Sequence, residues 1–212
     1  MAIQHDLHHN RRNYTLHELT EQTISPNPFE QFAWWYQDAT KSNIHEPNAM
    51  TLATATAAGQ PSARIVLLKF FDENGFVFYT NYLSRKGREA GQNPQVALLF
   101  FWDELERQVR IEGRVEKIEA KLSEQYFEAR PYESQLSAIV SEQSAEIPNR
   151  QVLEEKLEAL RQSGFVKRPE HWGGYVVKPH YFEFWQGRAS RLHDRIVYVL
   201  ENGAWRIKRL AP

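Results

Sequence analysis

The chain has 212 residues, of which 26 are basic and 27 acidic, and its hydrophobic fraction is 42%. This size suits one large domain with a substantial core, and a net charge of −1 provides no overall field that would recruit nucleic acid or anionic lipid. The absence of cysteine excludes disulfides, thiolate metal sites and a cysteine nucleophile. We expect a soluble cytoplasmic protein, because no apolar run approaches a membrane span and the N-terminal stretch lacks the apolar segment of a secretory signal.

The N-terminal segment, residues 1–27, is polar, and we expect it to be flexible. Three of its histidines, His5, His8 and His9, lack a neighbouring cluster of carboxylates, which favours a flexible tail over a metal site. Asn27 followed by Pro28 is typical of a helix start, with an N-cap before a proline at the first helical position. Apolar residues then recur at helical spacing, which predicts an amphipathic helix over residues 28–40.

From residue 50 the hydrophobic pattern changes to short stretches separated by turn residues. Glu73-Asn74-Gly75 is typical of a hairpin turn. Short strands at hairpin spacing predict an antiparallel barrel in a mainly β chain with helices, the α+β class, rather than a βαβ sheet. The five strands predicted in this part cover residues 50–57, 63–71, 76–81, 95–102 and 107–118.

Three cations crowd the start of a short predicted helix between the third and fourth strands. Ser84 is a good N-cap, so Arg85 and Lys86 fall in the first helical turn, where positive charge opposes the helix dipole. A bound anion would resolve this conflict, which predicts a phosphate site formed by free backbone N–H groups and cations. The alternative interpretation is a solvated basic turn.

A further helix is predicted over residues 119–130, ended by Pro131, with Ser134 opening a second helical segment to about residue 140. Helical spacing places Tyr126 and Arg130 on one face, and with Ser134 they offer a phenol, a guanidinium and a hydroxyl to one anionic group. An ordinary surface face is the alternative. The remaining predicted elements are a helix over 150–162 and strands over 174–177, 181–185, 195–200 and 204–208.

The sequence lacks several standard functional-site motifs. No Walker-type phosphate loop, dinucleotide fingerprint, zinc-protease motif or nucleophile elbow occurs in it. Cations, amides and aromatic residues can hold a phosphorylated, conjugated ring but supply no obvious nucleophile. We therefore expect the chemistry to come from a cofactor, and we predict no metal site.

Residues 182–195 combine large aromatic residues with three arginines, a histidine and an aspartate around Gln186-Gly187. Aromatic walls beside such groups suit a flat, anionic small molecule, whereas a strand followed by a solvated charged turn is the alternative. With several separated motifs, this stretch resembles the pyridoxine/pyridoxamine 5′-phosphate oxidases, flavin enzymes that make pyridoxal phosphate. The other motifs are residues 64–69, 78–81, 84–86, 106–109, Tyr126, Arg130-Pro131, Ser134, Gln143-Ser144 and 209–212.

The resemblance extends from about residue 11 to residue 212, and it implies a split β-barrel of the FMN-binding type. It also implies a homodimer with two FMN molecules at the subunit interface. The residues it assigns to FMN are Arg64, Ile65, Val66, Leu67, Leu68, Lys69, Tyr79, Thr80, Arg85, Lys86, Gln108, Gln143, Ser144, Trp185 and Arg195. Those it assigns to the substrate are Arg11, Tyr14, Lys69, Tyr126, Arg130, Ser134, Arg191 and His193, the last two being the expected catalytic residues.

The implied organisation is a single domain over residues 1–212 in four parts. The first part, residues 1–27, matches an N-terminal lid. A helix and the split-barrel FMN-binding core occupy residues 28–118, and a helical segment occupies residues 119–165. Strands that carry the dimerisation and substrate signature follow over residues 170–212.

The implied reaction oxidises pyridoxine 5′-phosphate and pyridoxamine 5′-phosphate to pyridoxal 5′-phosphate by hydride transfer from C4′ to flavin N5. Oxygen is the acceptor, H₂O₂ is released, and the amine substrate also yields NH₃, so the enzyme would be an oxidoreductase acting on CH–NH₂ donors. Two alternatives are a related flavin oxidase of the phenazine type and a non-catalytic module that binds flavin or pyridoxal phosphate. His193 has the further alternative of a purely structural histidine. Residues 15–26 carry little positive charge, which places in doubt any family trait that needs basic residues there.

Overall fold

A computed structural model of the protein describes residues 12–212, so the predictions for Arg11 and for the histidines near the N-terminus lie outside the described residues. The five helices of the described part are α1 Pro28–Lys41, α2 Arg85–Gln92, α3 Ala120–Glu128, α4 Tyr132–Val140 and α5 Gln151–Ser163. Its nine strands are β1 Ala49–Ala55, β2 Pro61–Leu67, β3 Phe70–Asp72, β4 Gly75–Asn81, β5 Gln95–Trp102, β6 Arg107–Lys117, β7 Trp172–Gln186, β8 Asp194–Glu201 and β9 Ala204–Leu210.

The chain divides into two compact units. Unit 1 contains the described residues up to Pro47 together with Phe101–Arg110 and Tyr181–Pro212. Unit 2 contains Asn48–Phe100 and Ile111–His180. The single domain expected from the sequence stays a prediction. None of the helices formed by residues 12–212 is long and apolar enough to cross a membrane.

Unit 2 is organised around strands in the order β2-β1-β5-β6-β7-β4-β3. The strand β1 pairs antiparallel with β2 and with β5, and β4 pairs antiparallel with β3 and with β7. The alternation predicted for β6 is confirmed, because Val109, Ile111 and Val115 are buried between more exposed polar residues. Side chains that are almost fully buried form the core of this unit, including Leu52, Phe76, Phe78, Leu98 and Val177.

Unit 1 contains the helix α1 and the antiparallel ladder that residues 181–186 of β7 form with β8 and β9. The predicted start of α1 is confirmed, since the Asn27 side chain accepts a hydrogen bond from the backbone N–H of Phe29 at 2.9 Å. The helix buries Phe32 and Trp35, and the Trp35 ring meets Phe184 of β7 edge-on at 5.3 Å. The predicted amphipathic docking of α1 is therefore confirmed.

The strand predicted over residues 63–71 is wrong in its continuity, because the chain changes pairing partners there. The backbone N–H of Leu68 donates to Asn48 beside β1, whereas that of Lys69 donates to Val77 of β4. The first strand β2 consequently ends at Leu67 and β3 begins at Phe70. Leu68 buries its side chain at this break, with 4% of it exposed.

Two other boundaries differ from the prediction. The strands expected at 174–177 and 181–185 form one strand, β7, and Pro179 lies between the residues that pair with β4 and those that pair with β8. Its missing N–H therefore removes no hydrogen bond from the β4 ladder or from the β8 ladder. The helix α4 begins at Tyr132 rather than Ser134, with Pro131 at its N-cap position.

Candidate active site

The basic helix start predicted in unit 2 is present. Ser84 is the N-cap of α2, and its hydroxyl accepts a hydrogen bond from the backbone N–H of Gly87. The first turn of α2 carries no acidic residue. The Lys86 ammonium reaches back and donates to Gln143 at 2.7 Å and to Thr80 at 3.2 Å. Three residues that the resemblance assigns to FMN therefore converge here from a helix, a strand and a loop.

The Lys86 ammonium is electrostatically unfavourable where it lies. Burial, reinforced by the positive charge of Arg64, lowers the pKa of Lys86 to about 8. Its hydrogen-bond acceptors are the neutral oxygens of Gln143, Thr80 and Ser84. An anionic ligand at this place would stabilise the charged lysine, which fits a phosphate site better than a solvated basic turn.

A buried carboxylate beneath the same cluster fixes two arginines. Glu89 is 4% exposed and receives hydrogen bonds from Thr54 at 2.5 Å and from the Arg85 Nε at 2.8 Å. The Arg64 Nη2 lies 3.3 Å from the same carboxylate. Burial raises the pKa of Glu89, but hydrogen bonds from Ser62, Thr54 and Arg85 outweigh it and bring the pKa to about 2.

The charges of this cluster leave a positive surplus. Arg64, Arg85 and Lys86 carry three positive charges, and Glu89 supplies one negative charge, so two positive charges remain for a ligand. The sequence interpretation missed Glu89, although its spacing four residues after Arg85 on a helix is a recognisable signal of an ion pair. A dianionic phosphate would balance the surplus.

Tyr126, Arg130 and Ser134 all line one cavity of about 490 Å³, and their convergence on one anionic group stays a prediction. Lys69 and Lys86 line the same cavity, as do other residues that the resemblance assigns to FMN: Ile65, Val66, Leu67, Tyr79, Thr80 and Gln143. The cavity holds neutral and cationic groups and, among its lining residues, no carboxylate. Such a lining suits an anionic ligand.

Stacked aromatic rings form one wall of this cavity. The Tyr79 and Tyr126 rings stack with centroids 3.8 Å apart, and Trp172 continues the stack. The Arg130 guanidinium lies 4.6 Å from the Trp172 ring centroid, and its Nη1 atom is buried without a hydrogen-bond partner in the described part of the chain. Burial lowers the pKa of Arg130. A buried, unpaired guanidinium nitrogen is costly unless a ligand accepts its hydrogen bond.

Unit 1 contains a second cavity, of about 550 Å³, lined by Tyr14, Arg191 and His193 together with Arg12, Asn13, Arg188 and Ser190. The Trp185 ring lies 4.6 Å from the imidazole of His193, and Tyr14 meets the Trp185 ring edge-on at 5.8 Å. The predicted combination of aromatic walls and cations in residues 182–195 is therefore present.

His193 has a defined hydrogen-bonding state. Its Nδ1 atom accepts a hydrogen bond from the backbone N–H of Arg188 at 3.1 Å, so the neutral ring carries its proton on Nε2. Burial, with the positive charge of Arg191, lowers the pKa of His193 below its ordinary value of 6.5. This direction favours the neutral imidazole, which donates from Nε2. Ser190 and Arg191 both have left-handed backbone angles, with φ of 58° and 61°; strain of this kind concentrates at functional sites.

Arg195 is oriented by a second buried carboxylate. Glu183, 3% exposed, accepts hydrogen bonds from the Arg195 Nε and the Arg110 Nη2, both at 2.7 Å. Burial raises the pKa of Glu183, but the hydrogen bond from Arg195 and the charge of Arg110 lower it further than burial raises it. The sequence interpretation missed Glu183, since its side chain gives no local sign of being buried between two arginines.

Several residues that the resemblance assigns to FMN lie outside the two cavities. Ser144 has a left-handed φ of 74°, and its hydroxyl accepts a hydrogen bond from the backbone N–H of Arg85 at 3.2 Å. Gln108 is half-buried on β6. Leu68 directs its side chain into the core. In residues 12–212 no group of three or more histidine, aspartate or glutamate side chains is arranged to hold a metal ion.

A solved structure of PhzG from Burkholderia lata, in complex with tetrahydrophenazine-1-carboxylic acid, is similar to this chain in fold. It matches 90% of this chain and 95% of its own with a TM-score of 0.86 and 30% identity. A pyridoxamine 5′-phosphate oxidase-related, FMN-binding protein from Nostoc punctiforme has the same fold, with a TM-score of 0.70 at 14% identity. The fold and site together define a split β-barrel protein of the FMN-binding class.

Sequence comparison makes the assignment more specific. The family model for pyridoxamine 5′-phosphate oxidase matches residues 36–164, and the model for the pyridoxine 5′-phosphate oxidase C-terminal dimerisation region matches residues 172–212. The pyridoxine/pyridoxamine 5′-phosphate oxidase of Gloeothece citriformis is 56% identical over 95% of this chain and 96% of its own. The pyridoxine/pyridoxamine 5′-phosphate oxidase of Neisseria meningitidis serogroup B is 52% identical over 98% of this chain and 100% of its own. The chain belongs to the pyridoxine/pyridoxamine 5′-phosphate oxidase family, whose cofactor is FMN.

Proposed function

We propose that the protein oxidises pyridoxine 5′-phosphate and pyridoxamine 5′-phosphate to pyridoxal 5′-phosphate, with oxygen as acceptor. The reaction would release H₂O₂, and NH₃ from the amine substrate. The observation that carries this proposal is the buried, unpaired Nη1 atom of Arg130 in a cavity that Tyr126, Ser134 and Lys69 also line. These groups favour a phosphorylated substrate, since a phosphate accepts several hydrogen bonds from them at once.

The donor set of unit 2 fits FMN. The surplus positive charge of Arg64, Arg85 and Lys86 over Glu89 suits the phosphate of the cofactor, and the lowered pKa of Lys86 supports an anion at this cluster. The other residues that the resemblance assigns to FMN, among them Ile65, Trp185 and Arg195, stay predictions. Bound FMN would supply the redox chemistry, by accepting a hydride from the substrate and passing electrons to oxygen, while the residues of this chain would hold and orient both ligands.

The residues of unit 1 would orient the substrate ring. The Arg191 guanidinium offers positive charge to oxygen or nitrogen atoms of the pyridine, and the neutral His193 offers a hydrogen bond from Nε2. Trp185 and Tyr14 provide apolar walls that exclude water. Here the protein contributes positioning and electrostatics.

We further propose a homodimer with FMN at the subunit interface, supported by the match of residues 172–212 to the dimerisation region of the family. The cytoplasmic location expected from the sequence also stays a prediction.

The test is an oxygen-consumption assay of the purified protein, with and without added FMN, on pyridoxine phosphate and on unphosphorylated pyridoxine. We expect a yellow protein that turns over only the phosphorylated substrate efficiently. Equal turnover of the unphosphorylated ring would favour a phenazine-type oxidase, with which the protein shares its fold. Changing Arg191 and His193 to alanine separates an enzyme from a binding module, because an enzyme would lose turnover while retaining FMN.

A further inference from the structure

Glu106 is a buried carboxylate that none of the roles above uses. It follows the short 3₁₀ turn Asp103–Leu105, has a left-handed φ of 53°, and exposes 4% of its side chain. It lies in the motif Glu106–Val109, in which the resemblance assigns only Gln108 to FMN. A charged side chain is rarely buried unless it is paired or hydrogen-bonded, so its partners indicate its role.

Those partners are backbone groups of the N-terminal segment. The Oε2 atom of Glu106 accepts hydrogen bonds from the backbone N–H groups of Thr15 at 2.8 Å and Leu16 at 3.1 Å. The Arg12 Nε lies 3.9 Å from Oε1. Hydrogen bonds to an ionised acceptor are about twice as strong as neutral ones. One carboxylate thus fastens residues 12–16.

The backbone of Glu106 also holds the turn that follows β7. Its carbonyl oxygen accepts hydrogen bonds from the Gly187 backbone N–H at 2.7 Å and from the Gln186 side-chain amide at 3.2 Å. The same residue therefore fixes both the N-terminal segment and the turn before Arg191 and His193.

Tyr14 lies between these two attachments. Its ring packs on Gly187 so closely that a Cβ at that glycine would meet ring and Cβ atoms of Tyr14 at 2.7–2.9 Å. The ring also meets His193 at 5.9 Å and lines the cavity of unit 1. The position of Tyr14 over this cavity thus depends on the hydrogen bonds that Glu106 accepts from the next two residues.

A second attachment limits how much of the segment Glu106 controls. Leu19 is 3% exposed, its N–H donates to Asp194 at 3.1 Å, and its carbonyl accepts from Arg209 at 2.9 Å. These contacts do not involve Glu106. Loss of the Glu106 carboxylate would therefore release residues 12–16 and leave Leu19 in place.

We propose that Glu106 is a positioning residue: its carboxylate holds residues 12–16 so that Tyr14 covers the cavity of unit 1. The part played by Tyr14 in substrate binding rests on the proposed function. The attachment of residues 12–16 to Glu106 does not rest on the proposed function, so the release of this segment and the KM are measured separately.

The experiment compares the full-length holoenzyme with Glu106→Ala, Glu106→Gln and the control Glu104→Ala, which removes an exposed carboxylate of the adjacent turn. Chymotrypsin cleavage after Tyr14, followed by mass spectrometry, measures release of the segment. We expect Glu106→Ala to accelerate cleavage and to raise KM for pyridoxine phosphate, each by about tenfold or more, the size expected for loss of two hydrogen bonds to a charged group. FMN affinity and cleavage at other sites should not change.

The conservative variant and a double-variant cycle separate positioning from a general structural role. Glu106→Gln retains an oxygen that accepts both N–H groups, so it should restore most of the wild-type resistance to cleavage. In a Tyr14→Ala background, Glu106→Ala should raise KM no further, because Glu106 acts through Tyr14.

Unchanged cleavage after Tyr14 in Glu106→Ala would overturn the proposal. So would faster cleavage without a change in KM, or additive effects in the double variant. If the wild-type holoenzyme fails to oxidise pyridoxine phosphate, the proposed function fails instead, and the cleavage measurement still decides whether Glu106 holds the segment.

Discussion

Lys86 gives a sharp test of the cofactor site, because its pKa should make FMN binding depend on pH. The pKa of Lys86 is lowered from 10.5 to about 8 by burial and by Arg64. A bound phosphate dianion favours the charged ammonium and raises this pKa again. Above pH 8 the free protein has lost the proton, so FMN must bind together with a proton, and its affinity falls as the pH rises.

The size of the effect follows from linkage. With a pKa of about 8, roughly one molecule in eleven of the free protein carries a charged Lys86 at pH 9, so the FMN dissociation constant should rise about tenfold between pH 7 and pH 9. That corresponds to about 1.4 kcal/mol. Lys86 affects the stability of the FMN-free protein in the opposite direction. Between pH 8 and 10.5 the folded state binds fewer protons than the unfolded state, so the free energy of unfolding increases with pH there.

The assay is a flavin-fluorescence titration of the FMN-free protein at pH 7, 8 and 9, with Lys86→Arg as the matched variant. Arginine stays protonated over this range, so the variant should lose the pH dependence whatever its affinity at pH 7. A wild-type dissociation constant that does not change with pH would refute the reasoning. An equal rise in the Lys86→Arg variant would refute it as well, because another group would then be responsible.

Three further results are expected. Arg130→Lys should raise KM for pyridoxine phosphate by roughly ten- to a hundredfold at unchanged FMN affinity, because a lysine cannot replace the guanidinium fork, whereas the exposed control Arg150→Lys should leave KM unchanged in the same assay. Glu89→Gln should lower the free energy of unfolding by roughly 2–3 kcal/mol in urea titrations, since two arginines lose their carboxylate. Because the folded pKa of Glu89 is depressed to about 2, its contribution is present above about pH 4.5 and is lost as the pH falls toward 2, so the variant should show a weaker acid dependence of stability. Gly187→Ala should displace Tyr14 and raise KM, an effect that should disappear in a Tyr14→Gly background, which removes both the ring and the Cβ that the new methyl group would meet.

Local signals in the sequence were sufficient for much of the fold. The Asn27-Pro28 start of α1, the Ser84 cap of α2 and the alternation along β6 each depend on neighbouring residues, and all are confirmed. Some of the residues that resemble the oxidase family also line a common cavity, as Tyr126, Arg130 and Ser134 do. Side-chain type and spacing carry this information, so it is readable without a structure.

Features that depend on distant partners were not readable. The expected strand over 63–71 breaks because its backbone changes partner from β1 to β4, and two expected strands join because β7 pairs with β4 along one part and β8 along another. Alternation describes one strand at a time. It gives no sign of where a strand exchanges neighbours.

The sequence by itself determined which residue types are available: cations at a helix start, an aromatic and cationic stretch, and the motifs of a flavin oxidase family. Only the tertiary structure decided which carboxylates hold those cations and segments in place. Glu89, Glu106 and Glu183 look like ordinary surface acids in the sequence, but each is at most 4% exposed, and Glu106 meets Thr15 across 91 positions of the chain. Burial removes competing water and so strengthens these interactions, and burial is a property of the folded chain rather than of any residue within it.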